Sequence, residues 1–287
     1  MRFFSRWNGK SLKPAWDYGA KGILWRLLPT ENGYFVGEDR DAEAKAASFF
    51  CLEAHTGIVC WEGIQFDEKW WIGMEAVHKD VLILHEYAAP DMPDHKKILA
   101  VDMLTGKLLW RNDDVKFHLA YDDRVYAIGD EHTRRAFFGV DLHTGEVVGE
   151  VDAPYLNVLK ETMVSREVGL VEFPKSFEFA KDNNSILGRR ILSATAGSEN
   201  LDRAEYITKN GIYIVGYYEN LSANPADQLL RQHLAILDED TSRIIYRDIM
   251  SVQSSTRVPD LFFGRGDFVY YIKDKKLLKA VKLHLIH

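Results

Sequence analysis

The chain has 287 residues, a formal net charge of −7 and a sequence pI of about 5.8. Hydrophobic residues make up 46% of it and charged residues 28%, which are ordinary proportions for a soluble globular protein. An acidic chain lacks the basic surface of a general nucleic-acid or anionic-membrane binder, so we expect no nucleic-acid and no membrane partner. No stretch approaches the ~18–20 apolar residues of a membrane span, and the N-terminus lacks the apolar core of a signal peptide, which predicts a cytoplasmic location.

A short pattern, in which an acidic residue is followed three positions later by Thr and then usually by Gly, occurs four times between apolar runs. In its clearest copy, Asp102 precedes Thr105, Gly106 and Trp110. The flanking Val, Ile and Leu residues favour strands. The acidic side chain can accept hydrogen bonds from turn amides, and glycine tolerates a positive φ. Each copy therefore predicts a β-hairpin, and the Trp predicts a large apolar ring that seals one sheet against its neighbour.

The threonines of the four copies give the spacing of the repeat, and they are Thr56, Thr105, Thr144 and Thr241. Gaps of 49, 39 and 97 residues separate them, so the last gap has room for one degenerate copy. Propeller blades are roughly 40–50 residues long. The spacing therefore favours an all-β fold in which four-stranded sheets repeat around an axis.

The pattern Asp-x-x-Thr-Gly-Lys-x-x-Trp at residues 102–110 resembles the repeat of quinoprotein-type, pyrroloquinoline-quinone-like (PQQ-like) β-propellers. The whole chain resembles an uncharacterised family of bacterial propeller proteins. This resemblance implies a fold rather than an activity, because function resides in sites. Quinone dehydrogenases with this repeat have eight blades and hold their cofactor against adjacent cysteines and a calcium ion. Cys51 and Cys60 are not adjacent, so we expect no cofactor.

These observations predict a single β-propeller domain over residues 1–287, with six four-stranded antiparallel blades and seven as the alternative. The six blades are placed at about 23–66, 70–114, 117–151, 155–200, 204–250 and 258–287. The last blade is one strand short, so residues 1–22 are expected to supply a closing strand. Residues 155–200 fit least well, because the Asp-x-x-Thr-Gly pattern is missing there.

The two cysteines flank the first hairpin turn. If Glu53 pairs with Ile58, Cys51 faces Cys60, and a cross-strand disulfide is geometrically conceivable. A reducing cytosol favours the other interpretation, in which both are free thiols that pack as small apolar side chains.

An acidic residue recurs near the end of the second strand of most predicted blades. Loops that follow second strands gather on one face of a propeller, where these carboxylates would attract a cation, a polyamine or a basic peptide. The alternative is that they only keep exposed strand ends from pairing. The candidate ligand-binding residues are Glu38, Arg40, Glu86, Glu131 (or its neighbour Asp130), Glu172 and Glu219.

Two further groups of residues are considered as sites. Arg40 lies among three acids at positions 38, 39 and 41, which indicates a salt-bridged structural network, and no catalytic residue is assigned. His85, Asp91, Asp94 and His95 surround a Pro-rich loop and are metal ligands by type. Their spacing matches no established motif, so no metal site is assigned.

The expected function is that of a non-enzymatic propeller, acting as a scaffold or binding module through an acidic loop face. No Gly-x-Ser-x-Gly elbow, phosphate loop or dinucleotide fingerprint is present in the sequence. The expected partners are a protein or a small cationic ligand, and the chain is expected to be a monomer. The expected contact loops are 39–47, 88–96, 130–135, 173–185 and 220–232.

The alternative function is a small-molecule hydrolase or lyase that uses carboxylates at the channel mouth. A deep pocket containing a buried carboxylate with a raised pKa, near Glu38 or Glu172, would favour this alternative.

Overall fold

A computed structural model describes most of the chain. The described residues are 11–89, 92, 94–131, 134–167, 169–182, 185–195, 201, 203–209, 211–222, 229–257 and 262–283. The chain divides into two compact units. The first unit is Ala20–Leu170, and the second joins the residues up to Gly19 to those from Val171 onward. The single domain predicted over 1–287 stays a prediction.

Antiparallel strands connected by short turns form most of the described chain. The first strand is β1 (Pro14–Gly19). Three groups of four strands follow in the first unit: β2 (Ile23–Pro29), β3 (Tyr34–Asp41), β4 (Ala46–Glu53) and β5 (Val59–Ile64); β6 (Ile72–His78), β7 (Val81–Tyr87), β8 (His95–Asp102) and β9 (Leu108–Asn112); β10 (Val115–Tyr121), β11 (Arg124–Glu131), β12 (Arg134–Asp141) and β13 (Val147–Val151).

Within each group, every strand pairs antiparallel with the next one along the chain. A single parallel pairing between Lys116 of β10 and Lys97 of β8 links the second group to the third. The prediction of four-stranded antiparallel sheets is therefore confirmed for the segments near 23–66, 70–114 and 117–151.

One long helix ends the first unit, and two sheets with short helices form the second. These elements are α1 (Ala153–Glu167), β14 (Lys175–Glu178), α2 (Phe179–Asp182), α3 (Ile186–Thr195), β15 (Arg203–Lys209), β16 (Ile212–Asn220), β17 (Leu230–Asp238), β18 (Ile244–Ser254), β19 (Phe262–Arg265), β20 (Phe268–Lys273) and β21 (Leu277–Lys282). None of the helices in the described ranges is long and apolar enough to cross a membrane.

The last sheet of the second unit contains both ends of the chain. Its strand order is β1-β21-β20-β19, and β1 pairs antiparallel with β21. The N-terminal segment thus supplies the missing fourth strand of this sheet, as the sequence predicted. Closure of a ring stays a prediction.

The predicted fourth blade at 155–200 is wrong, because most of this segment is helical. Helix α1 packs Leu156 and Leu159 against Leu119 and Tyr126 of the third group. Residues three apart lie on one face of a helix, so this spacing suits α1 and not a strand. The six-blade count depended on this segment.

The other predicted strands of that segment belong to the second unit. Strand β14 becomes the fifth member of the sheet β14-β15-β16-β17-β18. Helix α3 begins after Ser185, whose Oγ accepts the Gly188 N–H at 2.8 Å, a standard N-terminal cap. Ile191 and Ala194 of α3 then pack against Tyr213 and other residues of that sheet.

All four copies of the acidic-Thr pattern form the same turn. Asp102 Oδ1 accepts hydrogen bonds from the N–H and the Oγ1 of Thr105, both at 2.7 Å. Glu53, Asp141 and Asp238 accept the corresponding Thr N–H in the other copies. The residue that follows the Thr has a positive φ in every copy. In the fourth copy this residue is Ser242, with a φ of 57°, a region where most residues other than glycine are strained.

Two tryptophans dock on the turn of the following group. Trp61 Nε1 donates to the carbonyl of Met103 at 2.8 Å, and Trp110 Nε1 donates to the carbonyl of Leu142 at 2.8 Å. Both acceptors directly follow the acidic residue of a turn. Each ring therefore satisfies its polar edge while its apolar body fills the space between neighbouring groups.

The turn glycines leave room for these rings. A Cβ at Gly106 would lie 3.0 Å from the ring of Trp61, and one at Gly145 would lie 2.7 Å from the ring of Trp110. Glycine thus meets two requirements at once, a positive φ and close approach of a neighbouring ring. Gly149 occupies the Trp position of the third copy, so the series of docked rings stops before α1.

The two cysteines are free, with Cys51 buried and Cys60 exposed. Glu53 N–H does donate to the Ile58 carbonyl, but a bulge then places Cys51 opposite Trp61 rather than opposite Cys60. Burial, with a smaller contribution from Cys60, raises the pKa of the Cys51 thiol. Cys51 therefore stays protonated and unreactive at neutral pH.

A polar cluster joins the two sheets of the second unit. Asp248 of β18 accepts hydrogen bonds from Tyr271, Lys273 and Lys279 at 2.5, 2.7 and 2.8 Å. Burial opposes ionisation of Asp248, but the hydrogen bonds from Lys273, Lys279 and Tyr271 outweigh it and lower its pKa to about 2. Asp248 is therefore a carboxylate at neutral pH and links β18 to β20 and β21.

Replacing Trp110 by Ala should lower the free energy of unfolding by about 3–5 kcal/mol, because a large core ring is removed. Denaturant unfolding measures the change. Trp110→Phe keeps most of the ring and loses the bond to Leu142, so its loss should be smaller. A loss below about 1 kcal/mol for Trp110→Ala would mean that the ring is not part of the core.

The cluster around Asp248 predicts a pH dependence of stability. The folded pKa of Asp248, about 2, lies below the value of about 3.9 for an unfolded Asp. The carboxylate therefore stabilises the fold above about pH 4, and this contribution is lost as the pH falls from about 4 towards about 2. The stability difference between the wild type and Asp248→Asn, measured by denaturant unfolding, should narrow over that range. A difference independent of pH would contradict the assignment.

Candidate functional site

A pocket with aromatic walls in the first unit encloses about 560 Å³. This volume is within the range of about 300–1,000 Å³ that is usual for small-molecule sites. Its lining residues are Ile23, Trp25, Arg40, Ala42, Trp70, Trp71, Tyr87 and Met92. A second cavity, near Pro29, His78 and Tyr121, holds about 170 Å³ and falls below that range. The aromatic pocket is therefore the candidate site.

Arg40 provides the charged part of the pocket wall. Its Nε donates to Glu38 Oε1 at 2.5 Å, and its other nitrogens donate to the carbonyls of Trp70 at 2.9 Å and Ile72 at 2.5 Å. The second oxygen of Glu38 accepts the Met74 N–H at 3.2 Å. Glu38 and Arg40 are only 1% and 8% exposed. Of the salt-bridged network predicted for this cluster, the structure shows the pair of Arg40 with Glu38, whereas Asp39 accepts the backbone N–H of Lys21 and Gly22. The charge of Arg40 is thus balanced within the protein.

Aromatic rings form most of the remaining wall. The guanidinium of Arg40 lies 5.6 Å from the ring centre of Trp25 and 5.0 Å from that of Trp70, within cation–π range. The rings of Trp70 and Trp71 meet edge to face at 6.4 Å, and those of Trp71 and Tyr87 at 6.1 Å. Trp25 is 63% exposed, so part of this aromatic surface is open to a ligand.

The turn that carries Trp70 and Trp71 is fixed by hydrogen bonds. Glu68 Oε1 accepts the N–H of both residues, each at 2.9 Å. The bond from Trp70 is the main reason that the pKa of Glu68 is lowered, in spite of partial burial. The carbonyl of Trp71 also accepts the Tyr87 N–H at 2.8 Å. These bonds fix the backbone positions from which the two rings project.

The acidic residues predicted for the first unit are buried rather than exposed. Glu86 is 5% exposed and lies 2.8 Å from Lys97 and 3.8 Å from Arg111. Together with the burial of Glu38, this corrects the expectation of an exposed acidic face at these two positions. The side chains of Glu131 and Asp130 lie outside the described part of the chain.

The remaining predicted acids, Glu172 and Glu219, belong to the second unit. Glu172 lies 3.9 Å from Lys209. Glu219 lies 3.0 Å from His233 and 3.5 Å from Arg231. Each candidate carboxylate with a described side chain therefore has a basic neighbour that offsets its charge.

A cluster of two histidines and a glutamate lies beside the aromatic pocket. The rings of His85 and His95 stack with their centres 3.6 Å apart. Glu75 Oε1 lies 3.1 Å from His85 Nδ1 and 2.6 Å from His95 Nδ1. Tyr87, which also lines the pocket, meets both imidazoles edge-on at 4.8 and 5.3 Å.

Sequence reasoning found two of the three residues of this cluster. It grouped His85 and His95 with Asp91 and Asp94, but Asp94 pairs with Lys116 at 3.0 Å and Asp91 lies outside the described residues. It missed Glu75, which is the extra residue of a β-bulge in the pairing of β6 with β7. A bulge redirects a side chain, and no simple alternation rule would have located it.

Comparison with known families and structures gives limited similarity. Residues 28–110 match the domain of unknown function DUF4905, and this range includes Arg40, Trp70, Trp71 and the histidine cluster. No curated protein is similar to the sequence.

Three solved structures are similar to the chain at low sequence identity. A europium-containing methanol dehydrogenase is 11% identical over 92% of this chain and 52% of its own, with a TM-score of 0.32. This chain thus spans about half the length of that enzyme. A DUF4221 family member from Bacteroides vulgatus is 10% identical over 95% of both chains (TM-score 0.30). The uncharacterized protein lmo1340 from Listeria monocytogenes is 7% identical over 88% of this chain and 75% of its own (TM-score 0.34).

The buried ion pair predicts strong coupling between two substitutions. Arg40→Met leaves Glu38 buried without a counter-ion, and Glu38→Gln likewise leaves Arg40 buried without its counter-ion. Each single variant should lose about 3–5 kcal/mol of unfolding free energy. The double variant should lose less than the sum of the two, as measured by denaturant unfolding in a double-mutant cycle. Strict additivity would show that the two side chains do not depend on each other.

Proposed function

We propose that this chain is a β-propeller whose four-stranded sheets are its blades, and that it acts as a binding module for a small molecule. The proposed ligand occupies the aromatic pocket of the first unit. The observation that carries the proposal is a cavity of about 560 Å³ walled by Trp25, Trp70, Trp71 and Tyr87. Flat aromatic walls favour a ligand with a planar or apolar face.

The charges around the pocket favour a neutral ligand. Arg40 is the charged residue of the lining, and Glu38 balances it at 2.5 Å. An anionic ligand would compete with Glu38, and a cationic ligand would face Arg40. The cationic ligand expected for an acidic face has less support, because Glu38 and Glu86 are both buried.

The pocket agrees with part of the contact surface expected from the sequence. Ala42 lies in the expected loop 39–47, and Met92 lies in the expected loop 88–96. Loops on a rigid β scaffold are common positions for binding residues. The rest of the wall comes from the strands β2, β3 and β7 and from the turn held by Glu68.

A hydrolase or lyase is the weaker proposal. General acid or base chemistry needs a carboxylate that is free to exchange a proton with the ligand. Beside this pocket, one oxygen of Glu38 accepts from Arg40 and the other accepts the Met74 N–H. These contacts support binding without catalysis.

Indole is a suitable first ligand for testing the proposal, because it is neutral, planar and small. We expect a dissociation constant of about 1 mM, which is usual for a fragment of this size. Saturation-transfer NMR with the full chain measures the binding. Trp71→Ala should weaken it at least about fivefold, since an aromatic contact is worth about 1–3 kcal/mol.

Trp16→Ala is the matched control, because Trp16 packs against Tyr270 in the second unit, 5.9 Å between ring centres. This variant should bind indole like the wild type. Benzyltrimethylammonium tests the cationic alternative and should bind more weakly than indole. Equal indole binding by Trp71→Ala and the wild type, or a preference for the cation, would overturn the proposal.

A further inference from the structure

We infer that Glu75, His85 and His95 form a binding site for a divalent transition-metal ion such as Zn²⁺. Each residue offers one ligand atom, and these atoms all lie within 4.8 Å of one another. Two imidazoles and one carboxylate, with a further position open to solvent or substrate, are a common ligand set for such ions. The inference does not depend on the proposed small-molecule ligand.

The burial of His85, together with its lack of hydrogen bonds, is the observation that points to a ligand. Its side chain is 2% exposed, and neither of its ring nitrogens makes a hydrogen bond. Nδ1 lies 3.1 Å from Glu75 Oε1, but the two are not aligned for a hydrogen bond. Buried polar atoms without a partner are rare and costly. A metal ion would use the nitrogen lone pair that the protein leaves unused.

Two irregularities of the backbone bring the three side chains together. Glu75 is the additional residue between Met74 and Ala76 where β6 pairs with β7. The pairing of β7 with β8 also shifts around His85, and Lys97 in β8 has a φ of 63°. Bulges are frequent beside functional sites because they redirect a side chain.

A hydrogen-bonded Glu–His pair without a metal is the competing account. It explains His95, whose Nδ1 lies 2.6 Å from Glu75 Oε1. It is also compatible with the pKa of Glu75, which burial raises but which the nearby His85 and His95 lower overall. It places Glu75 Oε1 3.1 Å from His85 Nδ1 but gives neither ring nitrogen of His85 a hydrogen bond, whereas a bound ion would use one of these nitrogens.

Metal binding requires a change in the stacked rings. The planes of His85 and His95 are 6° apart, so their in-plane lone pairs are nearly parallel and do not converge on one point. His95 is 33% exposed and begins β8, so it has room to turn. We therefore expect the ion to separate the stacked rings while His85 keeps its position.

The other edge of His85 has a suitable environment for a metal ligand. A Cβ at Gly73 would lie 3.2 Å from His85 Nε2 and 3.6 Å from Glu38 Oε2. Glycine at position 73 leaves the space between His85 and Glu38 open.

Isothermal titration of the EDTA-treated full chain with ZnCl₂ tests the site. We expect one Zn²⁺ per chain. Glu75→Gln and His95→Ala should each weaken binding by at least about 100-fold, more than the loss of an outer-shell partner. Both positions are partly exposed, so these variants should fold. His143→Ala is the matched control, since His143 is 46% exposed and pairs with Asp80 outside the cluster.

Co²⁺ gives a second readout that a structural effect would not produce. Histidine and carboxylate ligands at a four-coordinate site should give visible absorption bands, which His95→Ala should abolish. Trp71→Ala should leave both metal measurements unchanged, so failure of this inference is distinguishable from failure of the pocket proposal. Absence of stoichiometric Zn²⁺ binding, unchanged affinity in Glu75→Gln and His95→Ala, or a preference for Ca²⁺ or Mg²⁺ would overturn the inference.

Discussion

The first unit depends on one repeated contact, the docking of a tryptophan on the turn of the next four-stranded group. The ring buries apolar area between two groups, and its Nε1–H donates a hydrogen bond to a carbonyl of the turn, beyond the end of the strand. A turn can receive the ring only if its acidic residue has folded over the Thr and its glycine has adopted a positive φ. The packing of the ring therefore requires the local structure of the turn, and this condition is fulfilled for Trp61 and Trp110. The series stops where Gly149 replaces the ring and α1 begins.

Much of this fold is readable from the sequence, and the exceptions have physical causes. The hairpin turns follow from local hydrogen bonding by residues such as Asp102 and Thr105, so their prediction needs no tertiary information. The bulges that displace Cys51 and Glu75 arise from pairing between strands, which no local pattern specifies. The helices at 153–167 and 186–195 were missed in spite of local signals. Pro154 lies in the first turn of α1, where a missing N–H has no cost, and Ser185 caps α3.

The candidate site was predictable only in part. Arg40 among three acids predicted a salt-bridged network, of which the pair with Glu38 exists, but the burial of this pair removes Glu38 from any exposed acidic face. No local pattern predicts that Trp70 and Trp71 line one pocket with Trp25 and Tyr87, because this arrangement depends on how two groups of strands pack. Tyr87 lies between the pocket and the histidine cluster, so the ligand pocket and the inferred metal site share a wall.

The pairing of β1 with β21 has a consequence for synthesis on the ribosome. Strand β1 ends at Gly19, but its partner β21 begins only at Leu277. The whole first unit is synthesised between these two strands. It can fold before β1 pairs with β21, since domains generally fold as units during synthesis. An N-terminal truncation that removes β1 would leave β21 as an open edge, and open edges promote aggregation.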